Sequence, residues 1–256
     1  MMKKALAVLS VLLLTGCFEI EQSIDLKKDL SGTADFHLGV DLEPMVVVMA
    51  QFAREMEGKT GPLTAAELAK AKADFKKSSK ASSSGTDVSR ADIEKGLPEG
   101  VTLLDYGAKE REFGMDSRMK FSFNRLTNLV GVKLPSKGNG DPTQKNVVES
   151  PFEGLEYSEK GNTFTIRAKP QNPTASVKEQ AAEAPKLDAA TEKLVRDAFG
   201  KMRVAYRISA PFEVVSHNAT RREGNTLIWE YDLASFEKME KAGKLEDSQL
   251  RVTYRK

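Results

Sequence analysis

CFEIEQSIDLKKDLSGTADFHLGVDL, residues 17–42, is the stretch that decides the fold. Phe18, Ile20, Ile24 and Leu26 alternate with Glu19, Glu21, Ser23 and Asp25. In a strand successive side chains point to opposite faces, so this period of two predicts one buried face and one wet face. Lys27-Lys28-Asp29-Leu30-Ser31-Gly32 has turn chemistry. Ala34, Phe36, Leu38, Val40 and Leu42 then alternate with Thr33, Asp35, His37, Gly39 and Asp41. The whole stretch predicts a β-hairpin.

Immediately upstream, Lys3 and Lys4 precede an apolar run from Ala5 to Leu14, which Leu14-Thr15-Gly16-Cys17 closes. The run is too short for a permanent membrane-spanning helix. Its charge, length and small-residue ending are those of a secretory signal peptide. The ending Leu-Thr-Gly-Cys resembles a bacterial lipobox. That resemblance implies cleavage after residue 16 and a Cys17 that carries acyl chains, palmitate among them, as the new N-terminus. The alternative is an ordinary signal peptide followed by a chance cysteine. Cys17 is the only cysteine among 256 residues, and acylation explains a lone cysteine in an exported chain without a second assumption. A single cysteine also excludes disulfides. Each buried CH₂ of an acyl chain contributes roughly 0.8 kcal/mol, and stable anchoring takes more than one chain.

The expected organisation is therefore a signal peptide, residues 1–16, and a mature domain, residues 17–256. The first strand begins one residue after the lipid, which leaves almost no stalk. The expected location is the bacterial cell envelope, exported and held at a membrane by Cys17. Phe18, and not aspartate, follows the cysteine, which in a Gram-negative cell implies the outer membrane. Removing residues 1–16 removes two lysines and no acids, leaving 37 basic against 37 acidic residues. A neutral balance argues against nucleic acid, because phosphate binding needs a concentrated basic face.

Downstream, residues 43–58 predict a helix with Pro44 at its start and Gly58 at its stop. Met45, Met49, Phe52 and Met56 share a stripe that Val46, Val48 and Ala53 widen. Residues 64–80 predict a second helix behind the capping box Thr64-Ala65-Ala66-Glu67, with residues 78–85 as a loop. These two helices are expected to form a hairpin on the sheet. A short helix at 90–97 and strands through 100–126 follow. Residues 133–153 read as a long exposed loop, 155–168 as a hairpin, and 169–186 as a linker. A helix at about 188–201, a strand at 204–208, a closing hairpin of 212–217 with 226–233, and a last strand at 250–254 complete the chain. The expected fold class is α+β, a largely antiparallel sheet with helices packed on one face.

The opening acidic strand and its Lys-Asp-Leu-Ser-Gly turn resemble the start of many envelope lipoproteins, whose turn often reads Asp-Gly-Ser-Gly. Leu30 stands at the first glycine. Near the end, Phe212-Glu213-Val214-Val215-Ser216-His217-Asn218-Ala219 and then Gly224-Asn225-Thr226-Leu227-Ile228-Trp229 are similar to the closing hairpin of the LppM-like lipoproteins. The shared pattern is an Asn before the turn and Gly-x-Thr-x-x-Trp after it. That resemblance covers about a third of the chain. It implies a lipid-held exported α+β domain with lipid or glycolipid contact, and it brings no catalytic residues.

Catalytic signatures are absent from the sequence: it has no Gly-x-Ser-x-Gly, His-Glu-x-x-His or P-loop pattern. The only histidines are His37, on the polar face of an early strand, and His217, at the edge of a late turn. The reading is non-enzymatic, with no cofactor and no metal. Methionine and valine surfaces adapt to acyl chains or to a bilayer. Phe36, Met45, Met49, Phe52, Phe121 and Phe123 are accordingly the expected lining of an apolar core or ligand cavity. The expected function is binding of lipid or another hydrophobic ligand at the membrane surface. The alternatives are a structural or protein-interaction role with envelope proteins and, third, an envelope hydrolase. A cavity favours the first, a solid core with an exposed apolar patch the second, and a cleft with convergent carboxylates or a His near them the third.

Overall fold

A computed structural model describes residues 17–82, 89–133, 151–169, 193–242 except 195 and 199, and 249–256. The expected signal segment 1–16 and nearly all of the expected linker lie outside these residues, as do residues 134–150 of the expected loop.

The opening hairpin forms as the alternation predicts. Strand β1 (Cys17–Leu26) pairs antiparallel with β2 (Gly32–Asp41), from Cys17 opposite Asp41 to Leu26 opposite Gly32. In the turn, the Asp29 carboxylate accepts from the Ser31 amide at 3.0 Å and the Ser31 hydroxyl at 2.7 Å. Leu30 takes φ +64, a left-handed conformation that a branched side chain rarely adopts. Gly32 is dictated by close approach, since a Cβ there would lie 2.0 Å from the Asp25 carbonyl oxygen.

The structure is α+β and contains two sheets. β3 (Val101–Arg111) and β4 (Gly114–Phe123) extend the opening hairpin on the β2 side. β7 (Arg203–Ser209), β10 (Thr226–Asp232) and β9 (Arg221–Glu223) extend it on the β1 side. The seven-stranded order is β3-β4-β2-β1-β7-β10-β9, and β1 with β7 is its parallel pair. A four-stranded antiparallel sheet has the order β5-β6-β11-β8, from β5 (Glu156–Lys160), β6 (Thr163–Ala168), β8 (Glu213–His217) and β11 (Leu250–Arg255). One core joins the sheets, with Ile20, Phe36, Phe121 and Trp229 from the first and Phe164, Ile166, Val252 and Tyr254 from the second. Residues after 186 therefore build both sheets and are no separate domain.

Four expectations are corrected. Residues 212–217 and 226–233 do not pair with each other. β8 lies beside β11, and β10 takes the three-residue β9 as its hairpin partner. The chain changes sheets between His217 and Arg221. There the Asn218 side-chain Oδ1 accepts from Trp229 Nε1 at 2.9 Å and from the Arg251 amide at 2.8 Å, tying β10 to β11. Secondly, the end of the expected exposed loop is core, because Phe152 is buried among the strands. Thirdly, the second helix reaches Ser82. Ser78 donates to the Phe75 carbonyl at 2.8 Å, which lets a serine sit within a helix. Fourthly, the expected single sheet is two, the second contributing Phe164, Ile166, Val252 and Tyr254 to the shared core.

The helices sit at the margins. α1 (Glu43–Met56) and α2 (Ala65–Ser82) form the expected hairpin, packed chiefly on each other. α3 (Arg90–Lys95), with a Ser89–Asp92 capping box, places Ile93 at one edge of the core. α4 (Leu233–Lys241) places Phe236 against Tyr231. A 3-10 turn (Leu126–Gly131) adds Leu126 and Leu129 to the core.

Candidate functional site

The six expected apolar residues divide between two places. Phe36 on β2 and Phe121 and Phe123 on β4 lie in the core between the sheets, each at most 2 % exposed. Met45 and Phe52 are buried on α1, outside that core, and Met49 beside them is half-buried. Alternation and helical spacing reveal which residues are covered. They do not reveal that two different layers do the covering.

The space between the sheets is filled. Trp229, Tyr254, Phe121, Phe164 and Ile166 are all under 2 % exposed. Phe164 lies 5.0 Å from Phe212 edge-on and 5.2 Å from Tyr254, ring centroid to ring centroid. Among the described residues, a cleft where Gln22 and Tyr206 meet Phe152 and Leu155 holds about 20 Å³. That is room for about one water molecule, against the roughly 300–1,000 Å³ of a typical ligand pocket. Gln22 is buried there and donates to the Pro151 carbonyl. Burial also pushes Tyr231 up to about 12 and raises Tyr254 further. The Tyr254 hydroxyl is buried without a hydrogen-bond partner among the described residues.

The other face of the large sheet is charged. Arg203 on β7 donates to Glu19 and Glu21 of β1 at 2.7 and 2.5 Å and to Glu230 of β10 at 3.0 Å. Partial burial opposes the charge on Arg203, but the bonds to Glu230, Glu19 and Glu21 outweigh it and hold its pKa above the usual value. The bond from Arg203 in turn holds Glu230 below the usual carboxylate range. Further across, Asp116 on β4 accepts from Arg111 at 2.5 Å and lies 3.2 Å from His37 Nε2. Burial raises the Asp116 pKa, and His37 and Arg111 more than reverse that. Lys120 pairs with Asp35 at 3.2 Å. The pairs of Arg203 with Glu19 and Glu21, of His37 with Asp116 and of Lys120 with Asp35 were invisible as pairs in the sequence, because they depend on the β1–β7 and β2–β4 registers.

His37 and His217 lie in different sheets. His217 Nδ1 accepts from the Ala219 amide at 3.1 Å. Among the described residues no three His, Cys, Asp or Glu side chains group to hold a metal. No helix among them is long and apolar enough to cross a membrane. The backbone of Cys17 is the first residue of β1, opposite Asp41.

No family model and no curated protein matches this chain. Among solved structures, the folded domain of the Mycobacterium tuberculosis LppM protein, determined by NMR, is similar at 13% identity and a TM-score of 0.40. The match covers 94% of this chain and 91% of that chain. At that score the likeness bears no weight for fold or function.

Proposed function

We propose that this chain is a lipoprotein of the bacterial cell envelope, exported by residues 1–16 and held at the membrane through acylated Cys17. Its mature domain is a non-enzymatic module that recognises envelope proteins by its surface. The observation that carries this choice is the filled interior: large side chains from both sheets occupy the space that a hydrophobic ligand would need. The charged face built on Arg203 and Asp116 supplies directional groups for such a partner. Contact with lipid or another hydrophobic ligand is the second reading. It is favoured by the α1 stripe, where Met56 is 61 % exposed.

Full-length protein extracted from membranes tests both points. Mass spectrometry should find Cys17 N-terminal and acylated, and Cys17→Ser should leave the membrane fraction. Unmodified Cys17 would overturn the anchor. After exchange into lipid-free detergent no stoichiometric lipid beyond the acyl chains should remain. A retained equimolar lipid would overturn surface recognition in favour of ligand capture.

A further inference from the structure

The long edge of the large sheet is β3, which has β4 on one side and no described strand on the other. Just before β3 begins, the Gly100 carbonyl accepts from the Asn124 amide at 2.9 Å. The Leu103 carbonyl turns the other way and accepts from Arg90 Nη2 of α3 at 2.7 Å. In an antiparallel ladder, residues that bond one neighbour and residues that bond the other alternate along a strand. Leu103 stands opposite Phe121, and beyond a bulge Tyr106, Ala108 and Glu110 stand opposite Met119, Ser117 and Met115. These lie at steps of two along β4, so the amides and carbonyls of Tyr106, Ala108 and Glu110 also point away from the sheet.

Arg90 closes the edge at Leu103, and past that point it is open. From Leu104 to Arg111 every residue but Tyr106 is exposed. Asp105 blunts this stretch once, its carboxylate accepting from the Tyr106 amide at 3.0 Å. Among the described residues nothing bonds the outward backbone groups of Ala108 or Glu110. Such a row of groups is a template for another strand.

We infer that two copies of this chain pair antiparallel along β3, with the two-fold axis at Ala108, running their large sheets into one. The occupant is a second copy because the open segment Asp105–Arg111 is complementary to itself. Ala108 is its centre, so this register sets Asp105 of each copy opposite Arg111 of the other, and Lys109 opposite Gly107. No like charges face each other, and opposite charges directly across two strands stabilise the pair. Arg111 holds Asp116 at 2.5 Å, and its guanidinium has further donors for a second carboxylate. Length selects the same register. The strand of the second copy turns away at Glu112 and Phe113 just where Arg90 closes the edge. A shift of two residues one way displaces Arg90, and a shift the other way leaves Asp105 and Tyr106 without a facing strand. The pairing does not depend on acylation of Cys17.

Sedimentation of the full-length protein, with detergent micelles in large excess over protein, tests the pairing. The unsubstituted chain should pass from monomer to dimer as its concentration rises. Ala108→Pro removes an outward amide and no bond to β4, which an edge strand tolerates, and should weaken association at least several-fold. Asp105→Arg sets Arg against Arg111, and Arg111→Glu sets Glu against Asp105, so each variant alone should stay monomeric. Mixed in equal amounts, the two should recover the dimer, because both facing pairs are again of opposite charge. Amide-exchange protection of β2 and β7 shows that each variant is folded, and the two charge variants decide the matter if Ala108→Pro is not. A monomer at every concentration overturns the inference. A dimer that the folded variants leave unchanged overturns it too, as does a mixture of the charge variants that stays monomeric.

Discussion

Leu30 shows how a single residue departs from what its backbone prefers. Its φ of +64 belongs to the region where a Cβ crowds the carbonyl, at a cost of roughly 1–2 kcal/mol. Its side chain offsets this by packing, half-buried, against the core. Replacement by alanine loses the packing and keeps the strain, whereas glycine loses both. Leu30→Gly should therefore be more stable than Leu30→Ala by about 1 kcal/mol, inverting the usual order. Urea midpoints of the two variants decide it. Arg203 makes a second residue-scale case. The Glu230 pKa is lowered in the folded state, so its stabilisation is present above the ordinary glutamate range and is lost as pH falls through the lowered value. Arg203→Ala also leaves Glu19, Glu21 and Glu230 without their shared cation. The penalty should be on the order of 1 kcal/mol at pH 7, because these groups are about a third exposed and screened. It should shrink below about pH 4. Chemical denaturation at pH 7 and pH 3 measures it, and an equal penalty at both refutes the assignment.

At the scale of elements, legibility followed the strength of the local pattern. β1 and β2 could be read because ten-residue alternation and an Asp-x-Ser turn agree. The partnering of β8 and β9 could not. Three exposed residues, Arg221–Glu223, carry no apolar signal, so β8 looked like the nearest mate for β10. Phe152 was hidden among glycine, proline and lysine, although it enters the core. α4 was missed although Asp232 caps it, accepting from the Ser235 amide at 2.8 Å. The α1–α2 hairpin was predicted, but its attachment to the β3–β4 turn, through the Phe113 ring and the Lys76–Glu112 ion pair, was not. Removing that ring should detach it selectively. Phe113→Ala should speed amide exchange in α2 while the strands of the large sheet keep their protection, since the lost contacts are local. Uniform acceleration across both would show that the hairpin is integral to the core.

For the whole molecule, α+β was legible and the two-sheet arrangement was not, because alternation shows that a face is covered without showing what covers it. The same limit governed the candidate site. The six apolar residues, read as one lining, could not be sorted into the core and α1 from their spacing. One feature of the topology also bears on how the molecule comes into being. β1 lies between β2 and β7, and the bond from Arg203 to Glu19 spans 184 positions. A chain delivered N-terminus first thus holds its earliest strand half-paired until almost the last quarter has arrived. Closing so distant a contact is slow. The order of strands is in this sense a timer, letting the large sheet set only once its C-terminal strands have arrived.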